Sequence, residues 1–264
     1  MIRLGLAFVR RDWMRRASYR LFVVWQVFGL ATFLFVLYFA GGALAALARS
    51  KGAGDDYIAF LLAGIAFTDL FLTAMQSFSG TVREAQLQGT LEPMLLAPLR
   101  VPEFVGGSIL FPMAQSLFRT LTAVAVAVFG FGFWHHANPI SAAEILVPAI
   151  LTFAAIGVLS SSFVLAFKQG DPVIGLFGFV SSIVGGTLFP LGLLPGWVQG
   201  FAWVLPLTSA LSGMRLALAG ANPIAVLPQA GSLFLTTLVL VPVAGFAFNA
   251  ALRHAKREGS LVQY

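Results

Sequence analysis

Long apolar runs, separated by short basic or proline-rich stretches, dominate the chain. Six stand out: approximately Leu21–Leu47, Tyr57–Ser79, Phe104–Phe133, Ile145–Phe167, Pro172–Leu194 and Leu227–Leu252. Each is near or above the ~20 residues with which a helix crosses ~30 Å of hydrocarbon. The first is expected to end nearer Gly41–Gly42, with the remainder turning outside. It is also longer than the about 7–15 apolar residues of a secretory signal, so it is expected to persist as an uncleaved span. Residues 1–20 follow another pattern. Ile2, Leu6, Val9 and Trp13 fall on one helical face, with Arg3, Arg11, Arg15 and Ser18 on others. That spacing predicts an amphipathic helix lying in the headgroup region, either as a topology anchor or also as a contact for a cytoplasmic partner. The expected fold is therefore all-α and membrane-integral: six transmembrane helices in a single domain over 1–264, with an interfacial helix at its start.

Composition narrows the function. Of 264 residues, 59% are hydrophobic and 10% charged, against about 25% charged in soluble domains, so most of the surface must face lipid. The absence of cysteine excludes disulfides, thiolate metal sites and cysteine nucleophiles. His135, His136 and His254 are too few and too scattered to predict a metal centre. The net charge of +6 comes from basic residues flanking apolar runs, which indicates topology and not nucleic-acid binding. Twelve lysines and arginines fall on the face shared by the termini, the loop after the second run and Lys168, whereas Arg49, Lys51 and Arg215 fall on the other. Both termini are accordingly expected in the cytoplasm.

Two ionisable residues lie within apolar runs, Asp69 in the second and Arg119 in the third. Charge at mid-membrane depth is costly, so such groups face a partner or a water-filled cavity. Two readings stand: an Asp69–Arg119 pair between neighbouring helices, or an arginine that meets an anionic substrate headgroup. Gln26, Gln76 and Gln115 add polar groups that line a cavity or bond between helices.

The loop after the second run, Val82 to Arg100, is expected to form a short, bent amphipathic element over 82–98. Gly89 suits a left-handed helix end, Thr90 an N-cap with Glu92 and Pro93 in the first turn, and Pro98 a stop. It is either an ordinary connection or a rigid element for a soluble partner to push against. Between the fifth and sixth runs, Pro190, Pro195, Pro206 and Pro223 interrupt apolar sequence. Thr208 is expected to cap a short helix ending at Gly220. Re-entrant or surface-lying outer helices over 189–222 fit this pattern, with Trp197, Phe201 and Trp203 suited to an interfacial aromatic belt.

These two segments carry a resemblance. Glu84-Ala85-Gln86-Leu87-Gln88-Gly89-Thr90-Leu91-Glu92, then Leu95-Leu96-Ala97-Pro98-Leu99-Arg100, resembles the cytoplasmic signature of type 2 ABC exporter permeases, departing mainly at Pro93-Met94. Phe189-Pro190, Leu194-Pro195-Gly196-Trp197-Val198-Gln199, Leu205-Pro206-Leu207-Thr208, Arg215 and Gly220 resemble that family's outer segment. The resemblance implies a permease half-transporter in a bacterial inner membrane. Two copies would form the path, and separate cytoplasmic ATP-binding cassette subunits would hold the ATP and Mg. It places Arg83, Glu84, Gly89, Thr90, Leu91 and Glu92 in an ATPase-coupling element. By the same analogy Phe189, Pro190, Pro195, Trp197, Pro206 and Arg215 would form an outer gate. Asp69, Arg119, Gln76 and Gln115 are the candidates for an intramembrane path. The implied substrate is an amphiphile such as a drug, lipid, glycolipid or saccharide conjugate. No glycine precedes Lys51, Lys168 or Lys256, so the chain has no phosphate-binding Walker A loop. No cofactor, and no catalysis, is expected on the chain itself.

Two other classes fit less well. A membrane-embedded enzyme would need a base, and Ser77-Phe78-Ser79-Gly80, which faintly resembles a serine-protease motif, has no histidine at a matching depth. An ion-driven carrier or channel usually shows several intramembrane carboxylates, and Asp69 alone qualifies clearly.

Overall fold

The computed structural model describes residues 57–87, 112–122, 137–167, 171–188 and 190–257, and all regular structure among them is helical. The helices are α1 (Tyr57–Leu87), α2 (residues 112–122), α3 (Pro139–Phe167), α4 (Asp171–Val184), α5 (Gly196–Val204), α6 (Pro206–Leu218) and α7 (Pro223–Arg257), with a 3-10 turn at Leu191–Leu193. Among the described residues, two helices are long and apolar enough to cross a membrane, Pro139–Leu165 and Pro223–His254, and the bent pair α5–α6 makes a third if it counts as one span. The chain is thus an all-α membrane protein. The expected interfacial helix, the first run and most of the third lie outside the described residues.

Helix ends differ from the apolar runs for local reasons. α3 begins six residues before Ile145, because Asn138 Oδ1 accepts from the amides of Ile140 (3.1 Å) and Ser141 (3.3 Å) while Pro139 takes the first helical position. The expected fifth span, Pro172–Leu194, needs correction. α4 stops at Val184 after 14 residues, a rise of about 21 Å, because the chain turns at Gly185-Gly186 with φ 80° at Gly186. The helical turns expected at the start of the 82–98 element are present, as a continuation of the preceding helix. Val82–Leu87 is the end of α1, which runs unbroken for 31 residues, or about 46 Å; residues 88–100 lie outside the described set.

α3 is the centre of the packing, with α1 on one side and α7 on the other. Phe71 and Phe153 meet edge to face at 5.2 Å between ring centroids. Gly157 lies directly against the Ala74 carbonyl, so that no side chain fits between the two backbones. α6 fills the remaining side of α3 and α7, burying Leu207, Leu211, Met214 and Ala217. The opposite face of α7 (Phe234, Leu235, Leu238, Val239) is exposed and apolar, as a lipid-facing surface must be. α1, α3 and α7 start at the same end of the bundle, here the upper end, because Asn138 N bonds Ala217 O (2.9 Å), Ser141 bonds Ala221 O (2.7 Å) and Arg215 reaches Phe60 O (3.3 Å).

The Gly157 contact makes a test of this packing. Gly157→Val should separate α1 from α3 and cost about 1–3 kcal/mol, lowering the Tm of the purified protein by several degrees in a thermal unfolding scan. Gly175→Ala, where the added methyl meets nothing within 4 Å, should leave the Tm unchanged or raise it.

Candidate functional site

The polar groups of the described helices gather in three places. The first joins α1 to α2. Arg119 Nη2 lies 2.9 Å from Asp69 Oδ2 and donates to Thr73 Oγ1 at 3.2 Å. Ser116 donates to the same carboxylate oxygen (2.9 Å), and Thr120 to Ala66 O one turn away (3.2 Å). These bonds run along both helices and set α2 antiparallel to α1. Asp69 and Arg119 thus form the ion pair, with side chains 39% and 35% exposed. Arg119 Nε is buried without a partner among the described residues. Gln76 and Gln115 lie on the same two helices, Gln76 exposed and Gln115 half-buried.

The second cluster is at the upper end, around Arg215 in the last turn of α6. Its Nη2 donates to Gly186 O (2.8 Å), Thr187 O (3.2 Å) and Phe60 O (3.3 Å), and its guanidinium carbon stands 3.4 Å from the centroid of the Phe60 ring. The guanidinium thus satisfies carbonyls of the turn that follows α4 and stacks on an aromatic face. Beside it, Thr68 and Thr187 share a hydroxyl–hydroxyl bond of 2.8 Å. A Cβ at Gly64 would run into the Thr187 carbonyl oxygen, so glycine lets α1 and the turn meet. Spacing along the chain gave no signal for Gly64, Thr68 or Thr187, because their partners lie more than a hundred residues away.

α5 and α6 leave this cluster as a bent pair, 90° apart. The prolines begin elements here and do not interrupt helices: Pro190 precedes the 3-10 turn, Pro195 precedes α5, and Pro206 is the first residue of α6. Thr208 is not the cap expected of it. Leu205 occupies that position without a side-chain bond, and the Thr208 hydroxyl is buried inside the helix with no partner among the described residues. At its other end α6 closes as expected at Gly220 (φ 87°), with Gly220 N bonded to Ala217 O and Ala221 N to Leu216 O, a Schellman closure. Trp197, Phe201 and Trp203 are all exposed on α5.

The third cluster is a hydroxyl ladder between α3 and α7 that the sequence reading missed. Thr152 and Thr237 hydroxyls lie 2.6 Å apart, and both also bond backbone carbonyls, Thr152 those of Pro148 and Leu233. Of the other expected positions, Arg83 and Glu84 fall in the last turns of α1. Gly89, Thr90, Leu91, Glu92 and Phe189 lie outside the described residues. Among the described residues no three His, Cys, Asp or Glu side chains converge as metal ligands.

The described helices thus make a membrane domain with an ion pair between two of them and a bent helix pair at one end. The sequence matches the family described as ABC-2 type transporter over residues 4–219. The chain therefore belongs to that family, as a transmembrane permease subunit of an ABC transporter. Curated relatives agree. The chain is 24% identical over 180 residues to the inner membrane transport permease YadH of Escherichia coli K12, covering 68% of this chain and 70% of the relative. It is 25% identical to nodulation protein J of Bradyrhizobium diazoefficiens, covering 61% and 62%. The linearmycin resistance permease protein LnrN of Bacillus subtilis is 26% identical, over 78% of this chain and 51% of that one.

The ion pair can be tested by charge removal. Asp69→Asn and Arg119→Gln should each leave one charge unbalanced at membrane depth and lower the yield and Tm of folded protein. The double variant should recover much of the loss, with a coupling energy of about 0.5–3 kcal/mol in a double-mutant cycle. Additive losses would mean that the two side chains do not depend on each other.

Proposed function

We propose that this chain is the membrane half of an ATP-driven exporter, in which two copies enclose the path and separate cytoplasmic ATPase subunits bind ATP and Mg. The observation that carries the reading is the family match over residues 4–219, and the lack of a Walker A loop on the chain fits an external source of energy. The lysine and arginine distribution supports cytoplasmic termini, which makes the upper end of the bundle the outward one. The name of the relative YadH supports an inner-membrane location.

In this mechanism the ATPases press on the segment from Arg83 to Glu92. α1 continues without a break from that segment past Asp69 to the upper cluster. Phe60 is 23 residues from Arg83, about 34 Å along the axis, so a push at the lower end arrives as a displacement at the upper one. Asp69, Arg119, Gln76 and Gln115 would line the path on α1 and α2, and the segment from Phe189 to Arg215 would gate its outer end. The half-exposed ion pair supports this assignment, since charged groups left uncovered in a membrane domain belong at a cavity and not at lipid. An amphiphile entering from the inner leaflet fits a chain with little sequence outside its apolar runs, and the resistance-permease name of LnrN favours outward transport.

The first experiment is purification of the native complex from membranes, followed by an ATPase assay. An ATPase subunit should co-purify in fixed ratio, and Gly89→Pro or Glu92→Lys should change hydrolysis in the assembled complex. A chain that purifies alone, with no nucleotide dependence, would point to an ion-driven carrier instead.

A further inference from the structure

α4 is held to the bundle in an uneven way. Its outer face, Leu176, Phe177, Phe179 and Val180, is exposed. Its inner face buries Ile174 in the core near the lower end, and above it carries the small residues Gly178 and Ser181, with Gly185 in the turn that follows: a Cβ at Gly178 would run into Leu72, and one at Gly185 into the Ser181 carbonyl oxygen beside Leu207. The Ser181 hydroxyl on that face is buried with no partner among the described residues, a cost that a shift of α4 would relieve. Polar contacts hold its upper end: Arg215 Nη2 on the carbonyls of Gly186 and Thr187, and the Thr68–Thr187 hydroxyl bond. The same Nη2 donates to Phe60 O on α1. These acceptors are backbone carbonyls, which water can also satisfy once they are uncovered.

We infer that Arg215 is a positioning residue that latches the turn after α4 onto α1, and that this latch opens and closes in each transport cycle. The inference rests on the permease reading above. It assigns the observed arrangement to the closed outer end. Gly64 allows the contact sterically, Arg215 and Thr68 hold it, and the bend at Leu205 connects it to the exposed α5. A displacement carried up α1 separates Phe60 and Thr68 from Gly186 and Thr187, the freed carbonyls hydrate, and α4 moves off α1 together with the start of α5.

The absence of native cysteine makes a direct test possible. Thr68 and Thr187 hydroxyl oxygens are 2.8 Å apart, so a Thr68→Cys, Thr187→Cys pair places its sulfurs within reach of a disulfide after small rotations. In the complete complex with its ATPase, mild oxidation should cross-link this pair within one chain rapidly without nucleotide and several-fold more slowly with a non-hydrolysable ATP analogue. The cross-linked complex should lose ATP turnover and regain it on reduction. Equal cross-linking rates in both nucleotide states would overturn the latch and leave a fixed joint. If the double-cysteine chain fails to assemble, Arg215→Met and Arg215→Lys decide the matter. Turnover per assembled complex should change several-fold in Arg215→Met and be partly restored in Arg215→Lys, whereas reduced yield at unchanged turnover would overturn the proposal. Failure of any ATPase to co-purify removes the permease reading and the latch with it. An active ATPase complex with no nucleotide effect on the cross-link removes the latch alone.

Discussion

Hydrocarbon offers no hydrogen-bond partner, so the polar groups that the chain carries into the membrane have to find their partners chiefly within the chain itself. Much of the local design follows from this. Thr122, Ser162, Ser182, Thr236 and Thr237 all return their hydroxyls to carbonyls four residues earlier. α6 closes its last turn with amide bonds from Gly220 and Ala221. Where α4 ends, the amides of Gly185, Gly186 and Thr187 return to its last carbonyls, and an arginine from another helix donates to the carbonyls of the turn itself. The carboxylate of Asp69 likewise receives both a serine hydroxyl and a guanidinium.

The same constraint explains the division of labour among helices. α3 and α7 are stitched by threonine hydroxyls and share the most extensive packing among the described helices, and they act as the frame. α1 joins that frame through the Gly157–Ala74 approach and the Phe71–Phe153 ring contact. α4 and α5 sit at the margin, with large apolar side chains turned outward. Elements with few buried contacts open at low free-energy cost, so the proposed gate would lie at this margin and be driven through a frame helix.

Much of the helical architecture was legible from apolar run lengths, and the Asp69–Arg119 pair from the rarity of charge within those runs. The stop at Gly220 followed from residue type alone. What escaped was of two kinds. Helix ends depend on single residues: Asn138 and Pro139 started α3 early, and Gly186 ended α4 before its apolar run was exhausted. Interhelical polar contacts depend on pairs remote in sequence, so Thr68 with Thr187, or Thr152 with Thr237, had no local signature. The role expected of Thr208 failed because a proline in the first helical turn positions a helix start as well as a hydroxyl cap does. Resemblance supplied the coupling and gate assignments, which composition and spacing could not have produced.

The closure at Gly220, followed at once by Asn222-Pro223, also bears on how the protein is made. α6 has 13 residues, a rise of only about 20 Å, and its buried face includes Thr208, Ser209 and Gly213. Such a segment gains little by entering a bilayer alone. Joined to α7 by so short a turn, it enters as the lesser arm of a helical hairpin, with Ser209 set against Ser232 at 3.2 Å. During synthesis α6 would therefore wait at the membrane surface until α7 emerged, so the stretch from Pro206 to Arg257 is a single unit of insertion.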